Sequence, residues 1–158
     1  PSPYLVVPAG AHEVTVQSGS QQISTQIEAK ASRSMTIMVP SLSPDAKPIV
    51  VDDRTNGNRL KAIISLYQMG SSAPVDVWTA DGNTQVFKSV PMGGTAALVV
   101  NPINLDYQVT AAGTKTTLAA GRLEMTPGCA YSLVITSAKP GELKVQSHVN
   151  SVERYTQQ

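Results

Sequence analysis

Two histidines and a single cysteine bound the chemistry that this chain can host. A serine nucleophile needs a base within hydrogen-bond reach, almost always an imidazole. The only candidates are His12, beside Glu13, and His148, inside Gln146-Ser147-His148-Val149. Both stretches alternate polar and apolar residues, so each histidine reads as a solvent-facing or partly satisfied strand residue. There is no Gly-x-Ser-x-Gly elbow, and no Asp stands three residues before a His. Glycoside hydrolysis would need two carboxyl groups converging on a cleft. Here the acids are scattered: Asp45, Asp81 and Glu142 sit at turn signals, and Asp52-Asp53 fall in a polar run where a solvated turn is expected. Two histidines and Cys129 make no metal-ligand spacing, and one cysteine excludes an intramolecular disulfide. Phosphate-cradling Gly-x-x-x-x-Gly-Lys and Gly-x-Gly-x-x-Gly loops are absent, and Gly93-Gly94 reads as a turn. The sequence therefore predicts no catalytic, cofactor-binding or metal-ligating residue.

Binding chemistry is sparse as well. Stacking on a sugar ring uses several flat aromatic faces, and aromatics make up 4% of the chain, with Trp78, Tyr67 and Tyr107 the only plausible members of such a platform. Trp78 alternates with Val77, so one of the two must face out; core packing is the expectation for Trp78. Cys129, after a Pro-Gly turn and without a basic neighbour, reads as a small buried hydrophobe. Lys+Arg 12 against Asp+Glu 11 leaves +1, which offers no electrostatic case for nucleic acid or an anionic membrane.

The elements that must carry these residues are strands. Residues 12–17, 22–27, 34–39 and 74–79 alternate with a period of two, and turn signals recur between such runs: Gly19, Ser43-Pro44-Asp45, Asn56-Gly57, Asp81-Gly82, Gly93-Gly94, Gly113, Pro127-Gly128 and Pro140-Gly141. Residues 117–125, the one stretch with many helix formers, carry a Gly in their middle and read as strand and loop. Charged residues at 15% leave solubility to Ser, Thr, Gln and Asn, while 41% hydrophobic content suffices for a packed core. No apolar run reaches the roughly 18 residues of a membrane helix, and no basic-then-apolar leader is present; a secreted chain would have lost its signal.

The fold class is thus all-β: two small tandem antiparallel β-sandwich domains, 1–52 and 60–158, joined by a polar linker at 53–59. An internal repeat supports the division. Leu5-Val6-Val7 and Val14-Thr15-Val16 are echoed by Leu98-Val99-Val100 and Tyr107-Gln108-Val109, an offset of about 93; Ile27-Glu28 and residues 35–39 are echoed by Leu123-Glu124 and residues 131–135, an offset of about 96. Three further strands stand ahead of Leu98 and little stands ahead of Leu5, so the first domain is expected to be truncated at its N-terminus, with strand edges open to another chain.

Several short motifs resemble the AlgF family, the alginate O-acetylation accessory proteins: residues 60–67, the Thr79-Ala80-Asp81-Gly82 turn, Asn101-Pro102 after Leu98-Val99-Val100, and Cys129 opening the strand that runs to Thr136, with Val7-Pro8-Ala9-Gly10 and Gly19-Ser20-Gln21 similar to positions of the family's first domain. The resemblance implies a periplasmic, noncatalytic adaptor of two β-sandwich domains. Its partners would be a membrane O-acyltransferase and a periplasmic acetyltransferase of an exopolysaccharide complex, for alginate or, in a related set, cellulose. It transfers no site residue and no cofactor. A carbohydrate-binding module holding the polymer, with a possible polysaccharide contact, is the alternative; a sandwich that donates or accepts a strand is a third reading.

Overall fold

The computed structural model describes residues 1–43, 45–139 and 142–153; Pro44 and the Pro140-Gly141 turn signal lie outside the described residues. The chain is all-β, and no described residue is helical. Twelve strands follow in order: β1 (Gly10–Ser18), β2 (Gln21–Ala29), β3 (Met35–Met38), β4 (Ile49–Asp52), β5 (Ala62–Gln68), β6 (Val75–Thr79), β7 (Gln85–Val90), β8 (Thr95–Val100), β9 (Asn104–Ala111), β10 (Thr117–Glu124), β11 (Ala130–Lys139) and β12 (Glu142–Val149). They belong to two compact units, one formed by Pro1–Thr55 with Ser151–Gln158, the other by Asn56–Asn150.

The second unit has two four-stranded sheets, ordered β10-β9-β6-β7 and β12-β11-β5-β8. Every pair in them is antiparallel except β11 with β5, which run parallel. An antiparallel sandwich is thus realised with one exception. Parallel neighbours need a long crossover, and β6 to β10 supply it: β6, β7, β9 and β10 form the other sheet, and β8 returns to pair with β5. Alternation places Val75 and Val77 of β6, Tyr107 and Val109 of β9, and Leu133 and Ile135 of β11 in one core, together with Ile64 and Leu66 of β5. Each such side chain contributes about 1.5–3 kcal/mol by leaving water. Strand β5 is buried on both faces, which is why Ala62-Ile63-Ile64-Ser65-Leu66-Tyr67 shows no polar alternation.

Two buried polar side chains hold the loops of this core. At the end of β5, Gln68 Oε1 accepts the Gly70 and Ser71 N–H groups at 2.7 and 3.0 Å, and its Nε2 donates to Ser71 O at 2.7 Å. The side chain replaces a ladder where the backbone leaves one sheet for the other. Gly70 must be glycine for a different reason: a Cβ there would lie 2.6 Å from the carbonyl oxygen of Thr136, which is backbone and cannot yield. Asp76, in the middle of β6, sits opposite a bulge, since Val75 pairs with Val90 and Val77 with Phe87, leaving Lys88 and Ser89 against one residue. Its carboxylate accepts the Ser89 N–H at 2.7 Å and the Gly113 N–H at 3.0 Å, so one side chain fixes the bulge and the β9–β10 turn together. Ser89 is held at φ 49° there.

Tyr107 of β9 faces Gly121 of β10 across the ladder. Its ring occupies the space a side chain at 121 would take, and burial pushes the Tyr107 phenol up to about 12. A raised phenol pKa means that the folded state holds this proton more tightly than the unfolded state. The corresponding stability is complete below the ordinary value of 10 and is lost as pH climbs from 10 to about 12. Urea midpoints measured between pH 9 and pH 12 should fall by the equivalent of about 2 kcal/mol, and a Tyr107→Phe variant should show a shallower fall over the same window.

The first unit consists of two hairpins, β1–β2 closed at Gly19 (φ 60°) and β3–β4. Tyr4 bridges Val152 in parallel; Tyr4 N–H donates to Ser151 O at 2.8 Å and Glu153 N–H to Tyr4 O at 2.9 Å. The repeat seen in the sequence is present in three dimensions. Val14 pairs with Thr25 as Tyr107 pairs with Gly121, and Val16 with Ile23 as Val109 pairs with Ala119. Asp53 N–H donates to Ser34 O at 2.9 Å as Asn150 N–H donates to Ala130 O at 2.8 Å. Even a side-chain bond recurs, Thr36 Oγ1 to Asp53 Oδ2 and Ser132 Oγ to Asn150 Oδ1, both 2.7 Å. Strands β1 to β4 therefore repeat β9 to β12. The repeat stops there: Leu5-Val6-Val7, expected to mirror Leu98-Val99-Val100 of β8, form no strand and are exposed.

Candidate docking surface

The side chains that could react are dispersed or already occupied. His12 points inward on β1 and its Nε2–H donates to Pro8 O at 2.7 Å. His148, read as solvent-facing or partly satisfied, is half-buried opposite Ser132 on β11, and its Nε2 is buried without a hydrogen-bond partner among the described residues. Ser132 is the hydroxyl that sequence reasoning missed, because a cross-strand neighbour sixteen residues away leaves no local spacing. Its hydroxyl donates to Asn150, so the two neighbours form no nucleophile–base pair. Asp53 is also more than a solvated turn: its carboxylate accepts the Tyr4 and Thr36 hydroxyls at 2.8 and 2.7 Å, tying the N-terminal segment to β3. Asp52 is exposed at the end of β4.

Asp81 and Glu142 stay far apart in role. The Asp81 carboxyl lies below the usual range because the Thr79 hydroxyl and then the Asn83 N–H groups donate to it, an arrangement that builds the Asp-Gly turn. Asp106 and Glu124 flank Arg122 on the outer face of β9 and β10 at 3.3 and 3.4 Å, solvent-exposed pairs worth little to stability. Cys129 is half-buried against the core of the second unit, close to the small-hydrophobe expectation. Among the described residues, no three His, Cys, Asp or Glu side chains gather as a metal site would require.

The aromatic platform does not assemble. Tyr67 and Tyr107 are 3% and 1% exposed, and Trp78 alone reaches the outside. Trp78 was expected in the core. Val75 and Val77 take the inward positions of β6, and the pleat turns Trp78 to the outer face, flanked by Gln108 of β9 and Gln85 of β7.

What the molecule does offer is incompletely covered apolar surface in the first unit. His12, Val14 and Val16 of β1 lie opposite Ile27, Thr25 and Ile23 of β2 on one face that is only half-buried. The matching face of the second unit, Leu105, Tyr107, Val109 and Leu123, is sealed at 7% exposure or less. Val50 of β4 and Leu5, Val6 and Val7 add exposed apolar side chains. Met38, at 2%, is the one apolar side chain of this unit to reach full burial among the described residues.

No family model matches the sequence, and no curated protein matches it. Among solved structures, the chain is similar to the C-terminal domain of AlgF from P. aeruginosa, with a TM-score of 0.48 and 21% identity over 58% of this chain and 99% of that one. The short sequence motifs above resemble the same family.

Proposed function

We propose that this chain is a noncatalytic periplasmic adaptor for O-acetylation of a secreted exopolysaccharide, alginate or cellulose. It would hold a membrane O-acyltransferase and periplasmic acetyltransferases together through protein–protein contacts. The observation that carries the reading is the contrast between spent polar groups and unspent apolar ones. Asp53, Gln68, Asp76 and Ser132 are all consumed by structural hydrogen bonds, while the first unit leaves an apolar sheet face half-covered. Surfaces of that kind are where proteins dock. The resemblance of residues 60–67, 79–82 and 129–136 to the AlgF family supplies the biological setting.

The test is two-sided. The purified chain should co-elute with a periplasmic acetyltransferase from the same exopolysaccharide system and should release no chromophore from an acetylated aryl ester above the buffer rate. Turnover that disappears in Ser132→Ala would remove the proposal, since that hydroxyl is the one beside a histidine.

A second reading, polymer binding, is favoured by one observation, the outward-facing Trp78 between two glutamines. Acetylated and unacetylated oligosaccharides titrated against its fluorescence decide the matter: a saturable shift supports sugar binding, and a flat trace supports the adaptor.

A further inference from the structure

Asn56 is the one asparagine of the chain that precedes a glycine; the others precede Arg59, Thr84, Pro102, Leu105 and Ser151. The carboxamide of an asparagine can be attacked at Cγ by the nitrogen of the next residue, and a glycine there has no Cβ to hinder closure of the five-membered ring. The structure leaves this nucleophile open. Gly57 is exposed, nothing lies within 4 Å of where its Cβ would stand, and its N–H donates to no acceptor among the described residues. The carbonyl under attack is polarised, because Asn58 N–H donates to Asn56 Oδ1 at 3.0 Å, where negative charge gathers as the ring closes. Asp81-Gly82 has the same glycine and neither advantage. Gly82 N–H is held by Thr79 O at 2.8 Å, and the Asp81 carboxyl is kept ionised by the Thr79 hydroxyl and then by Asn83, which makes it a poor electrophile.

We propose that Asn56-Gly57 is a site of spontaneous covalent modification, where the Gly57 nitrogen displaces ammonia from Asn56 and water opens the resulting succinimide to aspartate or isoaspartate. The bond from Gly57 N to Asn56 Cγ forms as the Cγ–Nδ2 bond breaks, and the Gly57 proton departs with the ammonia. One water then adds across the ring, its hydroxyl to a carbonyl carbon and its proton to the nitrogen, so nothing is oxidised or reduced. The nitrogen that leaves is one the fold uses. Asn56 Nδ2 donates to Asn58 O at 3.1 Å and, more weakly, to Lys61 O at 3.5 Å. The same two carbonyls accept Lys61 N–H at 3.1 Å and Gly128 N–H at 2.9 Å. Lys61 stands immediately before β5, the strand buried along its whole length, so this one amide ties the polar run to the start of the core. After the reaction a carboxylate faces both carbonyl oxygens where a donor stood, and isoaspartate adds a methylene to the backbone as well. The turn then loosens at Lys61 and Gly128. The proposal stands whether or not the chain serves polymer acetylation.

The experiment incubates the folded 158-residue chain at neutral pH and at pH 9, digests it, and follows each asparagine by mass spectrometry with fragmentation that separates aspartate from isoaspartate. Asn56 should convert about tenfold or more faster than any other asparagine, and faster at pH 9, since the Gly57 nitrogen must lose its proton to attack. No isoaspartate should form at Asp81. Gly57→Ala, which meets no atom in the folded chain, should slow conversion by about tenfold. The structural consequence is read separately in Asn56→Asp, which carries the aspartate product from the outset. Amide exchange at Lys61 and Gly128 should quicken about tenfold there, with Val77 and Val109 unchanged. The proposal is overturned if another asparagine converts first, if Gly57→Ala reacts as fast as the parent chain, or if exchange at Lys61 and Gly128 is the same in Asn56→Asp.

Discussion

Gly121→Val unfolds the second unit or lowers its stability by about 3 kcal/mol or more. The position of a Cβ at 121 lies 2.6 Å from Cζ of Tyr107, and its nearest contact is the phenol oxygen itself. The ring cannot step aside, since Tyr107 is 1% exposed and walled in by Val109, Leu123 and the facing sheet. A loss of that size is a large share of the roughly 5–15 kcal/mol that holds a domain together. It corresponds to about 4–8 °C in melting temperature per kcal/mol for a unit of this size. The first unit contains the remedy. It fills the equivalent cross-strand pair with Val14 and Thr25, a medium side chain against a medium one, where the second unit sets a large one against none. The double variant Tyr107→Val with Gly121→Thr should therefore be more stable than Gly121→Thr alone. A calorimetric double-mutant cycle measures the coupling; additive losses would show that the Tyr107 ring is not what excludes a side chain at 121.

Asp76→Ala costs about 2–4 kcal/mol, because two buried backbone donors lose their acceptor at once. The Ser89 N–H at 2.7 Å and the Gly113 N–H at 3.0 Å have no other partner shown, and they belong to different elements, the β7 bulge and the β9–β10 turn. Asp76→Asn should lose roughly half as much, since the amide keeps one acceptor oxygen. Amide exchange separates a local from a global effect. Ser89 and Gly113 should exchange faster in the alanine variant, ahead of the core amides of Val77 and Val109, and a uniform acceleration across the unit would mean that the carboxylate stabilises something other than these two loops.

The two variants differ in how visible their causes are beforehand. Gly121 stands in a stretch rich in Thr and Ala, and nothing local marks it as the seat of a tyrosine fourteen residues earlier. Asp76 falls in the pattern Val75-Asp76-Val77-Trp78, where alternation says only that it shares a face with Trp78. It is 3% exposed because the bulge and the turn close over it. Burial of a polar residue depends on what the chain brings across from elsewhere, and a period of two says only which face it occupies.

Much was nevertheless decided by the sequence alone. The period-two runs at 12–17, 22–27, 34–39 and 74–79 became β1, β2, β3 and β6, because alternation commits a strand to one buried face before any partner is chosen. The halting of helix at 117–125 by Gly121 and Pro127-Gly128 was legible for the same kind of local reason, and that stretch is β10. The repeat was readable from Val14 to Val39 against Tyr107 to Ile135. Tertiary structure alone decided that β5 runs parallel to β11, that Trp78 faces out while Tyr67 and Tyr107 are sealed, that Ser132 lies opposite His148, and that the repeat covers four strands and leaves Leu5-Val6-Val7 outside it. Each of these depends on which distant strand lies alongside. Pairing is chosen by the summed burial of whole sheets, and no short window of residues contains that sum.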